Sequence, residues 1–172
     1  GRAALTVSYI VYAFDTSVRA AFLDASRGFF NGTSLCLRVE GREHEPHAIA
    51  LDELPRGWQV ATSMAAHTKG GFVAADYDEL VDHPFELGAF WRGAFEAHGV
   101  PHEFVVAGAW PGFDGERLIN DAKQICEAQI AFWHGGKKPK PPFERYVFML
   151  NAVDDGYGGL EHRASTALIA KR

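Results

Sequence analysis

The sequence predicts an α+β protein: a β-rich first part, forming one sheet or part of a β-sandwich, then a part that combines strands with one long helix. Three observations predict this. Short apolar runs with period-two alternation recur between Gly, Pro and charged turns through the first part. The texture changes around Tyr77-Asp78-Glu79-Leu80, where a short helical turn precedes Pro84, and a domain boundary is placed there. Beyond it, a single stretch from Gly115 to His134 carries apolar residues at helical spacing.

Taken in order, Ala4 to Phe14 alternates Leu5, Val7, Tyr9, Val11 and Ala13 with polar neighbours and reads as a half-buried strand. Val18 to Leu23 fits either a short helix or a bent strand. Asn31-Gly32 is a tight-turn dipeptide leading into a second strand, Thr33 to Val39. Extended pieces follow at Ala48 to Leu51, Trp58 to Ala61 and Gly71 to Ala75, and Asp78 is the expected cap of the short helical turn. Phe90 to Ala97 and Glu103 to Ala109 form two strands joined through His98-Gly99-Val100-Pro101. Asp114 caps the long helix, whose buried face is expected at 118, 119, 122, 125, 126, 130 and 133, and Gly135-Gly136 ends it. Lys137-Lys138-Pro139-Lys140-Pro141-Pro142 is a solvated linker, and Phe143 to Leu150 and His162 to Ala170 supply two further strands.

Composition narrows the function classes. With 47% hydrophobic and 23% charged residues, the 172-residue chain can build a core, and its formal net charge of −5 argues against nucleic-acid and membrane-surface roles. No apolar run approaches the roughly 20 residues that span a bilayer. The two cysteines, Cys36 and Cys126, sit far apart in apolar settings and read as free thiols, which fits a reducing compartment. The expected location is therefore cytoplasmic, with the periplasm as the alternative.

The residues alone assemble no complete catalytic constellation. His44-Glu45-Pro46-His47 has the wrong spacing for a zinc helix, and His102-Glu103 runs into a strand. A nucleophile elbow, a phosphate-binding loop and a dinucleotide fingerprint are all missing. What stands out is the closing stretch, Asp154-Asp155-Gly156-Tyr157-Gly158-Gly159-Leu160-Glu161-His162. A glycine-broken acidic turn there re-extends into a segment with little side-chain bulk and ends on a carboxylate and an imidazole.

An ordered set of motifs gives that stretch a context. Tyr12-Ala13-Phe14-Asp15-Thr16-Ser17-Val18-Arg19, Gly28-Phe29-Phe30-Asn31-Gly32-Thr33-Ser34, Ala75-Asp76-Tyr77-Asp78-Glu79-Leu80-Val81-Asp82-His83-Pro84, Val100-Pro101-His102 and Asp155-Gly156-Tyr157-Gly158-Gly159-Leu160-Glu161-His162 follow one another along essentially the whole chain. Together they resemble the glycyl aminopeptidase family of zinc metallopeptidases, whose members often carry a PDZ domain. The resemblance implies a β-sandwich-like N-terminal domain over residues 1–77. Residues 78–172 would form the opening mixed β-sheet and long helix of a thermolysin-like catalytic domain. It further implies that the H-E-x-x-H zinc helix lies downstream of residue 172, so that the piece is truncated and inactive by itself. Zinc, which activates water and polarises the scissile carbonyl, is implied for the full-length enzyme and has no ligand motif in this chain.

Related aminopeptidases place a Gly-x-Met-Glu-Asn strand along the active-site cleft, and Gly158, Gly159, Leu160, Glu161 and His162 look like its counterpart. The resemblance makes these the substrate-binding residues. The strand would pair with the peptide backbone, and Glu161 would hold the free α-ammonium. The expected partner is a peptide with a free N-terminus, glycine or another small residue being the family preference. A homo-oligomer formed through surface exposed by truncation is a further expectation. The other reading is a non-catalytic β-rich peptide-binding module that presents the same strand edge.

Overall fold

A computed structural model describes residues 4–136 and 138–172. Lys137, the first residue of the expected linker, lies outside the described residues. The chain runs β1 (Ala21–Leu23), β2 (Arg27–Phe30), α1 (Gly32–Leu35), β3 (His47–Ile49), β4 (Gln59–Ala61), β5 (Ala65–Ala66), β6 (Phe72–Ala74), α2 (Tyr77–Val81) and β7 (Phe85–Gly88). It continues as β8 (Trp91–Ala97), β9 (Val100–Ala107), α3 (Gly115–His134), β10 (Tyr146–Val153), β11 (Gly158–Glu161) and β12 (Ser165–Lys171).

Among the described residues these strands form three sheets, ordered β1-β2-β7-β4, β3-β6-β5 and β11-β12-β10-β9-β8. Strand alternation explains how they stack, because successive side chains leave opposite faces. On β2, Phe30 points into a core with Phe85, Leu87, Met64 and Ala74, while Phe29 points into another with Val105, Val147, Met149 and Ala167. The first core joins the four-stranded sheet to the three-stranded one, where Phe85 stacks on Phe30 (ring centroids 4.8 Å) and meets Phe72 edge-on (5.1 Å). The second joins the other face of the four-stranded sheet to the five-stranded one. Phe104, Val106 and Ala152 leave the far face of that sheet and pack on α3 through Ala122, Leu118 and Ile119. The layers are therefore sheet, sheet, sheet, helix, giving an α+β protein with a sandwich-like β-rich first part.

The five-stranded sheet is mixed. β9, β10 and β12 run parallel, and β8 and β11 are antiparallel strands at its two edges. The β8–β9 hairpin turns on two residues, His98 (φ 49°) and Gly99 (φ 79°), both in the left-handed region that a tight primed turn requires. β9 therefore begins at Val100, ahead of the expected Glu103. The expected division at 77/78 passes between β6 and β7, and β7 pairs with β2 and β4, so the four-stranded sheet takes residues from both sides of it.

The long helix has the expected ends: Asp114 accepts a hydrogen bond from the Arg117 amide (2.9 Å), and the Gly135 amide donates to Ala131 (3.2 Å). Two positions of its expected buried face are exposed, Ile125 at 62% and Trp133 at 72%. Ile125 lies on the edge of the apolar stripe, whereas Trp133 lies near its middle but one residue from the helix end.

Four other expectations are corrected. Residues 4–12 form no strand: the neighbouring edge, β1, is three residues long and engages the incoming chain only at Ala13–Asp15, so Leu5, Ile10 and Tyr12 stay exposed. Thr33 to Val39 is not a strand, because the chain instead makes the helical turn α1, with Gly32 packed so closely on α2 that a Cβ would fall 2.8 Å from the Val81 Cα. Asn31 is correspondingly no hairpin turn. It is 3% exposed and donates its amide to the Val18 carbonyl (2.7 Å). The cap of α2 is Asp76, not Asp78; its carboxylate accepts from the Glu79 amide (2.7 Å).

Both cysteines are free and half-buried. Burial, with a smaller push from Glu127, lifts the Cys126 thiol to about 11.

Candidate functional site

The closing stretch is built around one tight turn. β10 ends at Val153, and Gly156 reverses the chain at φ +152°, where a Cβ would lie 3.0 Å from a Val153 methyl. Arg172 closes the turn from the far end of the chain: its amide donates to the Val153 carbonyl (2.9 Å) and its guanidinium meets the Asp154 carboxylate (2.9 Å).

β11 then pairs antiparallel with β12, Gly158 opposite Ile169 through Glu161 opposite Thr166, and its other side is the open edge of the sheet. The His162 amide donates to the Ser165 carbonyl (2.9 Å), which makes 162 and 165 a hydrogen-bonded pair in the same register. Hydrogen-bonded and non-bonded pairs alternate in an antiparallel ladder. Leu160 and Gly158 therefore spend their backbone groups on β12, whereas Gly159 and Glu161 turn their N–H and C=O outward.

The side chains divide in the same way. Leu160 packs against the core between the two larger sheets, and the Thr166 hydroxyl donates to its carbonyl (3.2 Å). Glu161 is exposed. A Cβ on Gly158 would meet nothing closer than 3.8 Å and one on Gly159 nothing closer than 3.5 Å, so the fold itself does not require glycine at either position. The Tyr146 hydroxyl, raised to about 12 by burial first and then by the Cys126 and Glu161 charges, stays protonated and donates to the Ser165 carbonyl (3.1 Å).

The structure separates His162 from Glu161. The His162 side chain is 8% exposed, its Nδ1 is 3.4 Å from an Asp82 carboxylate oxygen, and its Nε2 is buried without a partner. Sequence reasoning singled out the five residues from Gly158 to His162 but did not reach their neighbours from α2 and the β4–β5 connection. The His83 ring, held below its ordinary range mainly by burial, shares a hydrogen bond with the Ser63 hydroxyl (2.7 Å). Glu79 stands 3.8 Å from its other nitrogen. Ser63, Glu79, Asp82, His83, Arg145 and Arg163 line a polar cleft of about 530 Å3 beside the turn that follows β11. No spacing rule links Asp82 to His162, and only the fold brings them together. Among the described residues no three His, Cys, Asp or Glu side chains are grouped to hold a metal ion.

The layered β-rich chain thus presents an open, glycine-bearing strand edge that ends on a carboxylate. Residues 1–89 match the Peptidase M61 N-terminal domain family. The chain belongs to that peptidase family. It is similar to the crystal structure of an aminopeptidase N family protein from Idiomarina loihiensis, at 42% identity and a TM-score of 0.84, over 94% of this chain and 28% of that one. The chain thus spans less than a third of that relative's length. Its fold also matches an M1 zinc metallopeptidase from Deinococcus radiodurans. The match to a mutant bound to a Tyr-Ser-Ala substrate has 15% identity and TM-score 0.53, over 86% of this chain and 37% of that one. The match to the enzyme without mutation has 13% identity and TM-score 0.51, over 93% and 39%. Among curated proteins no match is found.

Proposed function

We propose that this chain is part of a zinc-dependent aminopeptidase of the glycyl aminopeptidase kind, which removes N-terminal glycine or another small residue from peptides. One observation carries the reading. Gly159 and Glu161 present outward backbone groups on an open strand edge, beside glycines that the fold does not need and ahead of an exposed carboxylate. A peptide strand can add to that edge through main-chain hydrogen bonds, and missing side chains let it approach closely. Its α-ammonium, which carries three donors, then meets the Glu161 carboxylate at the end of the strand. An internal peptide bond offers no such cation, so the contact selects chain ends.

On this reading residues 1–77 belong to the N-terminal β-rich domain and residues 78–172 open the catalytic one, with β7 returning to the first. Zinc, named for the Deinococcus relatives, would be held by residues outside this chain, because its described residues do not fit a metal site.

Glu161→Gln in the full-length enzyme tests the assignment. Losing one charge-assisted contact should cost roughly 1.5–3 kcal/mol, about a ten- to hundredfold drop in kcat/KM for free-amine peptides. Unchanged kinetics would remove Glu161 from the site. Peptide binding without turnover in the full-length protein would favour the non-catalytic module instead.

A further inference from the structure

The edge strand is not held by its own sheet alone. α2 ends on Asp82, whose backbone amide still closes the helix by donating to the Asp78 and Glu79 carbonyls. Its side chain reaches across to the turn after β11. One oxygen, Oδ2, accepts the Arg163 backbone N–H (3.1 Å), and the other, Oδ1, lies 3.4 Å from His162 Nδ1. The Arg163 guanidinium adds a looser contact at 3.9 Å and is mostly exposed, so the backbone hydrogen bond is the stronger grip, with the buried imidazole close beside it. A single carboxylate therefore holds two consecutive residues that begin one position after Glu161.

We infer that Asp82 is a positioning residue: it fixes the height and twist of the β11 end, and with it the place of the Glu161 carboxylate. This rests on the proposed role of Glu161 in receiving the substrate ammonium. The physical need is clear from β11 itself. The strand is four residues long, half of it glycine, and paired on one side only. Such a strand slides and twists easily, since neither side-chain interlock nor a second neighbour sets its axial position. Asp82 supplies what the sheet lacks, a charged acceptor that binds its backbone at one point. Asp82 is itself fixed. It caps α2, and the next residue, His83, is buried and tied to Ser63. The end of α2 thus contributes to amine recognition without touching the substrate.

The test combines kinetics with amide exchange in the full-length protein. Asp82→Ala should raise KM for free-amine peptides about tenfold, the scale of one lost hydrogen bond to a charged group, while kcat changes little. Asp82→Asn keeps an acceptor oxygen for the Arg163 amide and should recover part of the loss. In a Glu161→Gln background, Asp82→Ala should add nothing further, because its effect passes through Glu161. Independently of activity, hydrogen exchange at the Arg163 amide should quicken about tenfold or more in Asp82→Ala.

Unchanged Arg163 exchange would overturn the clamp. Additive losses in the double variant would overturn the positioning role while leaving Glu161 in place. A silent Glu161→Gln with a responsive Arg163 amide would instead sink the amine-recognition reading and the positioning role with it, the clamp surviving as a structural contact. If Asp82→Ala does not fold, as judged by thermal unfolding, Asp82→Leu, which lacks an acceptor but keeps the branched shape of the side chain, carries the same comparisons.

Discussion

At Glu86 a carboxylate sits on the middle of β7, 1% exposed, between the four- and five-stranded sheets. Alternation puts it there, since Phe85 and Leu87 fill the opposite core. Arg27 answers it with two hydrogen bonds of 2.7 Å, and the guanidinium also lies over the Phe29 ring at 5.2 Å. Burial outweighs that help and raises the carboxyl from 4.5 to about 7. A folded-state value above the unfolded one means that the native state holds the proton longer. The stability this group contributes is thus fully present below pH 4.5 and lost as pH rises through about 7. Denaturant midpoints measured against pH for wild type and Glu86→Gln should differ by a curve that falls across that window; a flat difference would show that the pair is charged throughout. Removing the partner is harsher. Arg27→Met leaves the acid buried without compensation and should cost about 3–5 kcal/mol at neutral pH, checked by the same denaturation. None of this was legible beforehand: Arg27 and Glu86 are ordinary charged residues in the sequence, separated by 59 positions.

The element that bears the proposed function is β11, and its two backbone directions can be told apart by proline. Proline at 159 would delete an N–H that faces open solvent, whereas proline at 160 would delete one that bonds β12. We expect Gly159→Pro to cost about 1 kcal/mol or less in stability while abolishing peptide turnover. Leu160→Pro should destabilise by about 3 kcal/mol or more. Thermal unfolding and a peptidase assay on the two variants separate the cases, and equal stability losses would contradict the alternation derived from the His162–Ser165 pair. The elements themselves were unequally readable. α3 was located to the residue because a capping aspartate, an apolar stripe and two glycines all act within a few positions of one another. The 4–14 and 33–39 segments carry strand-like side chains just as plainly, yet neither finds a ladder. A period-two pattern reports a willingness to pair and says nothing of whether a partner arrives.

For the whole molecule, the layers share residues in a way that predicts how it unfolds. Phe85 is fully buried and touches both the four-stranded sheet through Phe30 and the three-stranded sheet through Phe72. Phe85→Ala should cost about 3–5 kcal/mol. It should loosen the two smaller sheets together, seen as faster exchange of β3 and β6 amides alongside those of β2 and β7. Protection lost in one sheet alone would show that the sandwich is held elsewhere. The sequence by itself determined the class of fold, the long helix with its ends, and the family likeness that points to the Gly158–His162 stretch, because those signals are local or lie in motif order along the chain. Only the tertiary structure decided that β11 pairs with β12, that Gly159 and Glu161 face outward, and that Asp82 grips the turn behind them. Pairing register and edge status depend on which distant strand takes the neighbouring place. A carboxylate and an amide 81 residues apart leave no periodic trace from which their contact could be read.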